Sequence, residues 1–190
     1  MRILTKSQSK NLDKTSVKKF KIPESKLMNS AAKCIFDYIE NHNIALKKKL
    51  RVLILCGKGN NGGDSICLAN MLKEKDYDVH AHFLLEKNQI SNLSLKHHDK
   101  YIELSGSISY GIKMKKFDDF DFLIDGIIGI GFRDALNQDL IDWVNWINKL
   151  NVFILSIDIP SGLNADNGLA SPVAVKANVT ITFGYAKIGL

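Results

Sequence analysis

Three aspartate-containing segments follow short apolar runs of the sequence. The string Gly-Asn-Asn-Gly-Gly-Asp ends at Asp64, the run Asp-Phe-Leu-Ile-Asp ends at Asp125, and Asp158 opens the string Asp-Ile-Pro-Ser-Gly that contains Ser161. A carboxylate at the end of a buried strand can act as a general acid or base if its pKa is raised. Because the carboxyl ends of parallel strands meet at one edge of a sheet, we expect these four residues to face one cleft.

The glycine-rich segment at 57–64 has the composition of a phosphate-binding loop. Glycines let backbone N–H groups approach a ligand, and the following helix presents its free N–H groups there. Gly57, Gly59 and Gly62 match the dinucleotide-binding spacing, for which Glu86 is only a loose candidate as the acidic residue of the second strand. The alternative is a tight turn that needs glycine, but two consecutive asparagines exceed what a turn requires and suggest recognition of a polar ligand or a cation.

Asn61, Asp125 and Ser161, with backbone carbonyls, form a set of oxygen donors, which suits a hard cation. A single carboxylate favours a monovalent ion over a divalent one. Ser161 would need a nearby histidine to act as a nucleophile. No histidine lies in a predicted strand-end loop, which argues against a Ser-His-Asp hydrolase; the five are His42, His80, His82, His97 and His98.

The elements that must position these residues alternate between strands and helices. Continuous runs of apolar residues predict strands at 51–56, 79–85, 121–125, 152–158 and 178–183. Apolar residues at helical spacing predict one helix that includes Leu27 and two more at 65–75 and 136–150. A helix and a short strand are expected within 86–116, loops at 57–64 and 126–135, and a basic, helical N-terminus over 1–50. This alternation predicts an α/β fold with a mostly parallel sheet covered on both faces.

Composition limits the class of protein. The 190 residues are 45% hydrophobic and 24% charged, which favours one folded domain and excludes a disordered, collagen-like or disulfide-miniprotein chain. The net charge of +6 suits an anionic ligand such as a nucleotide without requiring nucleic acid. The lysine run 47–49 is interpreted as a solvated segment before a strand.

The cysteines and the hydropathy pattern predict a soluble, cytoplasmic chain. Cys34, Cys56 and Cys67 cannot all pair and form no C-x-x-C unit, so buried free thiols in a reducing compartment are expected. The sequence has no signal-peptide pattern and no apolar stretch of the roughly 18 residues that a membrane span needs.

Motifs along essentially the whole chain resemble, in order, those of the NAD(P)H-hydrate epimerases, the YjeF N-terminal domain family. They are Leu4-Thr5, Leu12-Asp13, Leu27-Met28, the Gly-Asn-Asn-Gly-Gly-Asp string at 59–64, Asp125 with Gly129-Ile-Gly131, the Asp-Ile-Pro-Ser-Gly string at 158–162, and Thr180-x-x-Phe183-x-x-x-Lys187-x-Gly189-Leu190. The resemblance implies a Rossmann-like three-layer α/β/α sandwich with an N-terminal helical extension. It also implies an isomerase of nicotinamide nucleotide repair that interconverts the R and S forms of NAD(P)H-hydrate at C6.

The resemblance also assigns roles to residues. A potassium ion would be held by Asn61, Asp125 and Ser161, and Asp158 is our candidate for proton transfer, because partial burial at the end of its strand favours the neutral form. Asp64 and Lys187 are the next candidates. The nicotinamide nucleotide would be substrate rather than cofactor, and its contacts would be Asn60, Asn61, Gly62, Gly63, Asp64, Gly129, Ile130, Gly131, Phe132, Arg133, Asp134, Ala135 and Asp158.

Some features depart from the family pattern. Ser65 stands where glycine is frequent, and Asn29-Ser-Ala-Ala32 replaces a stretch that usually has an acid and a glycine, which should affect helix packing more than the site. Family members continue beyond residue 190, often into a dehydratase domain, so we expect one domain over 1–190 that lacks a C-terminal portion or a following domain. A homo-oligomer, a fused or separate dehydratase, and no nucleic-acid or membrane partner are expected. The alternatives are a non-catalytic binding or scaffold module and an NAD-dependent oxidoreductase.

Overall fold

A parallel sheet with helices on both faces forms the centre of the computed structural model, which describes residues 2–42, 50–131 and 135–190. The strands are β1 (Ile3–Leu4), β2 (Arg51–Cys56), β3 (Asp78–Phe83), β4 (Ser107–Tyr110), β5 (Phe122–Gly126), β6 (Phe153–Ile157), β7 (Val179–Ile181) and β8 (Ala186–Lys187). The helices are α1 (Lys6–Lys18), α2 (Glu24–Asn41), α3 (Asn60–Lys73), α4 (Asn92–Glu103) and α5 (Gln138–Ile147), with a short 3₁₀ turn at Lys87–Gln89.

The main sheet has the strand order β4-β3-β2-β5-β6-β7, and every neighbouring pair is parallel. This is the strand order of the Rossmann fold, in which the chain reverses its direction of winding between two central strands. Here the reversal falls between β2 and β5, where ligands of such sheets bind. The predicted α/β class and the parallel sheet are therefore confirmed.

Alternating residues of β2 separate the two halves of the core. Val52 and Ile54 face a cluster formed with α2, α3 and α4, whereas Leu53 and Leu55 face a cluster formed with α5, where Trp143 is completely buried. Successive side chains of a strand point to opposite faces, so a strand covered on both sides is apolar throughout. The structure thus has the three layers expected.

Helix α3 begins at Asn60, five residues before the predicted start. The prediction of a loop through Asp64 was wrong, because glycine is a poor helix former and its presence suggested a turn. Packing requires these glycines instead. A Cβ on Gly62 would lie 1.8 Å from the Gly57 carbonyl oxygen, and one on Gly63 would lie 2.2 Å from the Met28 side chain.

The N-terminal arm, defined as β1 and α1, packs against the end of the described chain. β1 pairs in parallel with β8, with Leu4 opposite Lys187. A capping box between Thr5 and Gln8 starts α1, in accord with the helical N-terminus expected. The two-residue strands β1 and β8 were not predicted, because so short a pairing leaves no periodic signal.

The lysine run 47–49 and residues 132–134 of the predicted loop lie outside the described residues. Cys56 and Cys67 are buried free thiols as predicted, but Cys34 is exposed because it lies on the outer face of α2. Ser65 and Asn29 contribute to packing, since Ser65 Oγ donates to the Asn61 carbonyl (2.8 Å) and Asn29 Oδ1 accepts from Cys67 Sγ (3.0 Å). In the described part of the chain, no helix has the length and hydropathy to cross a membrane.

Candidate functional site

Asp125 is fully buried at the end of β5 and is the centre of a hydrogen-bond network. Its Oδ1 accepts from Ser161 Oγ (2.5 Å) and Ile127 N (3.3 Å), and its Oδ2 accepts from Ser156 Oγ (2.8 Å) and Ser161 N (2.9 Å). Burial raises the pKa of this carboxyl, and the four hydrogen bonds oppose that rise. These contacts tie the segments after β5 and β6 together.

Asn61 and Ser161 both lie against the backbone segment that follows β5. Asn61 Oδ1 lies 3.0 Å from where a Cβ of Gly129 would be, and Asn61 Nδ2 donates to the Ile157 carbonyl at the end of β6 (3.1 Å). Ser161 Oγ accepts from Ile128 N (2.9 Å). Of the three predicted cation ligands, Ser161 is therefore in contact with Asp125, and Asn61 lies beside the same segment.

The donor chemistry of these residues fits a hard cation. A carboxylate, a hydroxyl, an amide oxygen and nearby carbonyls are oxygen donors, as alkali and alkaline-earth ions prefer. Four donors already occupy the roughly four lone-pair sites of the Asp125 carboxylate. A cation bound here would have to replace at least one of these donors, and the hydroxyls of Ser156 and Ser161 are the two that can rotate away.

Asp158 follows β6 with a φ of +66° and is 8% exposed. Non-glycine residues rarely adopt this left-handed conformation, and aspartate is among the residue types that tolerate it best. The Oδ1 atom of Asp158 accepts from Lys187 Nζ, from Thr182 Oγ1 (3.3 Å) and from Phe183 N (3.3 Å). All three donors are on Oδ1, and Oδ2 has no donor from the described residues.

Lys187 is buried, with 2% of its surface exposed. Its ammonium forms an ion pair with Asp158 and donates to Thr182 Oγ1 (2.7 Å) and the Phe183 carbonyl (3.1 Å), so its three hydrogens are used. The prediction for Asp158 rested on burial at the end of its strand and did not include the ion pair with Lys187. Sequence alone placed Lys187 near the end of the fifth predicted strand but not against Asp158.

Two further carboxyls share this space. Asp64 is 8% exposed on α3, and burial, followed by the charges of Asp158 and Asp13, raises its pKa well above the usual value. Asp13 comes from α1, where burial and then the charge of Asp158 raise its pKa, while Lys187 lowers it. Sequence analysis did not assign Asp13 to the site, although Leu12-Asp13 was among the recognised motifs.

The expectation that Asp64, Asp125, Asp158 and Ser161 meet at one edge agrees with the structure. Asp125 contacts Ser161, and Asp64 lies within electrostatic reach of Asp158. Of the predicted substrate contacts, Asn60 to Asp64 form the start of α3, and Gly129 to Gly131 and Ala135 flank the gap in the described chain. Phe132, Arg133 and Asp134 lie outside the described residues.

Other candidates are placed elsewhere. Glu86 begins the 3₁₀ turn after β3, where its backbone N–H donates to Gln89. His80 and His82 lie on β3 and make hydrogen bonds to Ser109 of the neighbouring strand, and burial lowers their pKa. Neither histidine has a hydrogen bond or ring contact with the site in the part of the chain that is described.

Fold and site together define a Rossmann-like α/β protein with an acidic site at the switch point of its sheet. The chain belongs to the family described as YjeF-related protein N-terminus, whose model matches residues 24–189. This membership confirms the resemblance drawn from the motifs.

Similar proteins agree with this assignment. An NAD(P)H-hydrate epimerase of Oenococcus oeni is 34% identical over 98% of this chain and 87% of its own length. An NAD(P)H-hydrate epimerase of Weissella koreensis is 29% identical over 98% of this chain and 82% of its own length. A bifunctional NAD(P)H-hydrate repair enzyme of Dictyoglomus turgidum is 29% identical over 100% of this chain and 37% of its own length. The crystal structure of the yeast protein ynu0 has a TM-score of 0.84 at 18% identity and covers 100% of this chain and 83% of its own, which supports the fold.

Proposed function

We propose that this protein is an isomerase that interconverts the R and S forms of NAD(P)H-hydrate at C6. The observation that carries the proposal is Asp158, held at a φ of +66° against Lys187 at the edge of the sheet where Rossmann-like folds bind nucleotides. Relatives named NAD(P)H-hydrate epimerase, at 28–34% identity over most of the chain, supply the substrate.

The chemistry requires proton transfer without redox change. The C6 hydroxyl lies next to the ring nitrogen and forms a hemiaminal. Protonation of that hydroxyl lets the nitrogen lone pair expel water and form an iminium, and water returning to the other face inverts C6; ring opening and reclosure is the second route. Either route needs an acid/base group, and Asp158, whose Oδ2 has no donor from the described residues, is the candidate for it.

The first prediction is that the purified protein accelerates interconversion of R- and S-NADHX. Chiral chromatography of each epimer, incubated with and without protein, measures the rate. Unchanged rates with folded protein would contradict the proposal and favour a non-catalytic binding module. Reduction of NAD⁺ by an added alcohol or hydroxy acid would favour an oxidoreductase.

We propose further that a monovalent cation, potassium in the cell, binds Asn61, Asp125 and Ser161. The support is the contact of Ser161 Oγ with the Asp125 carboxylate, the position of Asn61 Oδ1 against the segment after β5, and the single carboxylate among the three residues. When bound, the ion would balance the buried charge of Asp125. These residues would orient the segment after β5, through contacts such as Ser161 Oγ with Ile128 N.

The second prediction follows from this cation site. Crystals soaked in rubidium or thallium salts are expected to show an anomalous peak between Asn61, Asp125 and Ser161. Crystals soaked in a sodium salt are the control, since sodium gives no comparable signal. The absence of a peak at high salt concentration would contradict the site.

We also propose a cytoplasmic location, since the three cysteines are free. Association with a dehydratase, fused or separate, and a homo-oligomer stay predictions from the resemblance.

A further inference from the structure

Inversion at C6 requires proton transfer at two places, because the hydroxyl leaves from one face and water arrives at the other. Asp158 accounts for one of them. We propose that Asp64 is the second proton-transfer residue: Asp64 protonates the leaving hydroxyl, and Asp158, oriented by Lys187, accepts the proton of the attacking water. This inference rests on the proposed epimerase function.

The surroundings of Asp64 leave its carboxyl buried and without a partner among the described residues. It lies in the second turn of α3 and is 8% exposed, next to Gly62 and Gly63, which allow close packing of the helix start. Its carboxyl makes no hydrogen bond or ion pair with any described residue, and its oxygens are not fully sealed from solvent. The carboxyl can therefore form a hydrogen bond with a ligand, and Asp158 lies within electrostatic reach of it.

Asp158 has the opposite surroundings. Three donors, one of them the Lys187 ammonium, lie on its Oδ1, and Oδ2 has no donor from the described residues. The Lys187 ammonium contacts Asp158, whereas Asp64 has no cation or hydrogen-bond donor among the described residues and its pKa is raised chiefly by burial. One carboxyl paired with an ammonium and one left unpaired in a buried place form an arrangement that can divide acid and base roles.

The charges around Asp64 are consistent with this division. Asp13 of α1 and Asp158 after β6 raise its pKa beyond the effect of burial. Lys187 of β8 forms an ion pair with Asp158 and lowers the pKa of Asp13. Cys67, on the same helix as Asp64, is protonated because burial raises its pKa to about 12. If Asp13, Asp64 and Asp158 were all ionised, the Lys187 ammonium would balance only one of the three negative charges. A proton retained on Asp64 reduces this excess of negative charge.

The proton and electron balance closes without a further reactant. The Asp64 proton moves to the C6 oxygen, the C6–O electron pair leaves with water, and the nitrogen lone pair forms the C=N bond. Water then donates an electron pair to C6 from the other face and gives its proton to Asp158. Asp64 is left ionised and Asp158 protonated, which is the state required for the reverse inversion, and exchange with solvent resets both.

The third prediction concerns Asp64→Asn, which keeps the shape of the side chain and removes its proton. We expect kcat in both directions to fall by about 10²–10⁴-fold with a much smaller change in KM. In the wild type, kcat/KM is expected to fall on the alkaline side as Asp64 loses its proton, and the residual activity of Asp64→Asn should lack that limb. Asp64→Glu, which retains a carboxyl, should recover part of the rate together with the limb. Asp142→Asn, on the exposed face of α5, is the matched control and should leave kcat unchanged.

Stability supplies a measurement that does not depend on activity. Because the pKa of Asp64 is raised on folding, the folded state binds more protons than the unfolded state above the ordinary value of 3.8. The Asp64 contribution to stability therefore decreases as pH rises from the ordinary value of 3.8 through the raised pKa of the folded state. Asp64→Asn removes that decrease, so its melting temperature is expected to exceed that of the wild type increasingly over this interval.

The outcomes separate the two proposals. A wild-type protein without epimerase activity would overturn the proposed function itself. An active wild type, together with an Asp64→Asn variant of near-normal kcat, would overturn only the role of Asp64. Loss of activity in Asp64→Asn with the same alkaline limb as the wild type would also overturn it, since the limb would belong to another group.

Discussion

Replacing Asp158 by asparagine is expected to lower the turnover number for NADHX epimerisation by about 10²–10⁴-fold, the usual contribution of a general acid or base. The amide keeps the shape of the carboxyl and can still accept from Lys187, Thr182 and Phe183. It has lost the oxygen that exchanges a proton with substrate. The prediction depends on Asp158 Oδ2, which has no donor from the described residues, unlike Oδ1.

Asparagine is the informative substitution because of the backbone. Asp158 has a φ of +66°, and asparagine tolerates the left-handed region about as well as aspartate, whereas alanine would add strain. Epimer interconversion measured by chiral chromatography gives the rate, and calorimetry with NADPHX gives the affinity, which should change far less. Near-normal turnover would show that the proton-transfer group is elsewhere, with Asp64 the next residue to test.

Replacing Asp125 by alanine is expected to lower the free energy of unfolding by about 3 kcal/mol or more. The substitution leaves four buried donors without their acceptor, and an unsatisfied buried donor costs about 1–3 kcal/mol. Partial relaxation and water entry keep the total below the sum. Since small domains are stable by only about 5–15 kcal/mol, the variant should be close to the limit of folding.

Urea denaturation followed by circular dichroism measures this loss. Asp125→Asn is the matched variant, because its amide oxygen still accepts from part of the network, and it should lose less stability than the alanine variant. Asp142→Ala, at an exposed position on α5, is the control for removal of an aspartate and should change stability by less than about 0.5 kcal/mol. An Asp125→Ala variant as stable as the wild type would contradict the structural role of the network.

The parallel sheet was predictable because its strands are buried on both faces. Such strands must be apolar throughout, as the run Arg51–Cys56 is, and they alternate with helical segments of distinct periodicity. The start of helix α3 was predicted too late because Gly62 and Gly63 have low helix propensity. Their close packing against Gly57 and Met28, which requires glycine, is a tertiary feature that helix propensity does not include. Tertiary packing decided that boundary.

From the amino-acid sequence one could predict the α/β class, the strand-end positions of Asp125, Asp158 and Ser161, and the family, because each depends on local pattern or on motif. Asp64 was predicted in a loop and lies in helix α3 instead. Tertiary structure alone decided that Lys187 meets Asp158 and that Asp13 joins them. The pairing of β1 with β8, residues 3–4 against 186–187, brings the two ends of the described chain to the sheet edge. Contacts between residues so distant along the chain leave no periodic trace, since they are set by how the layers pack rather than by neighbouring side chains.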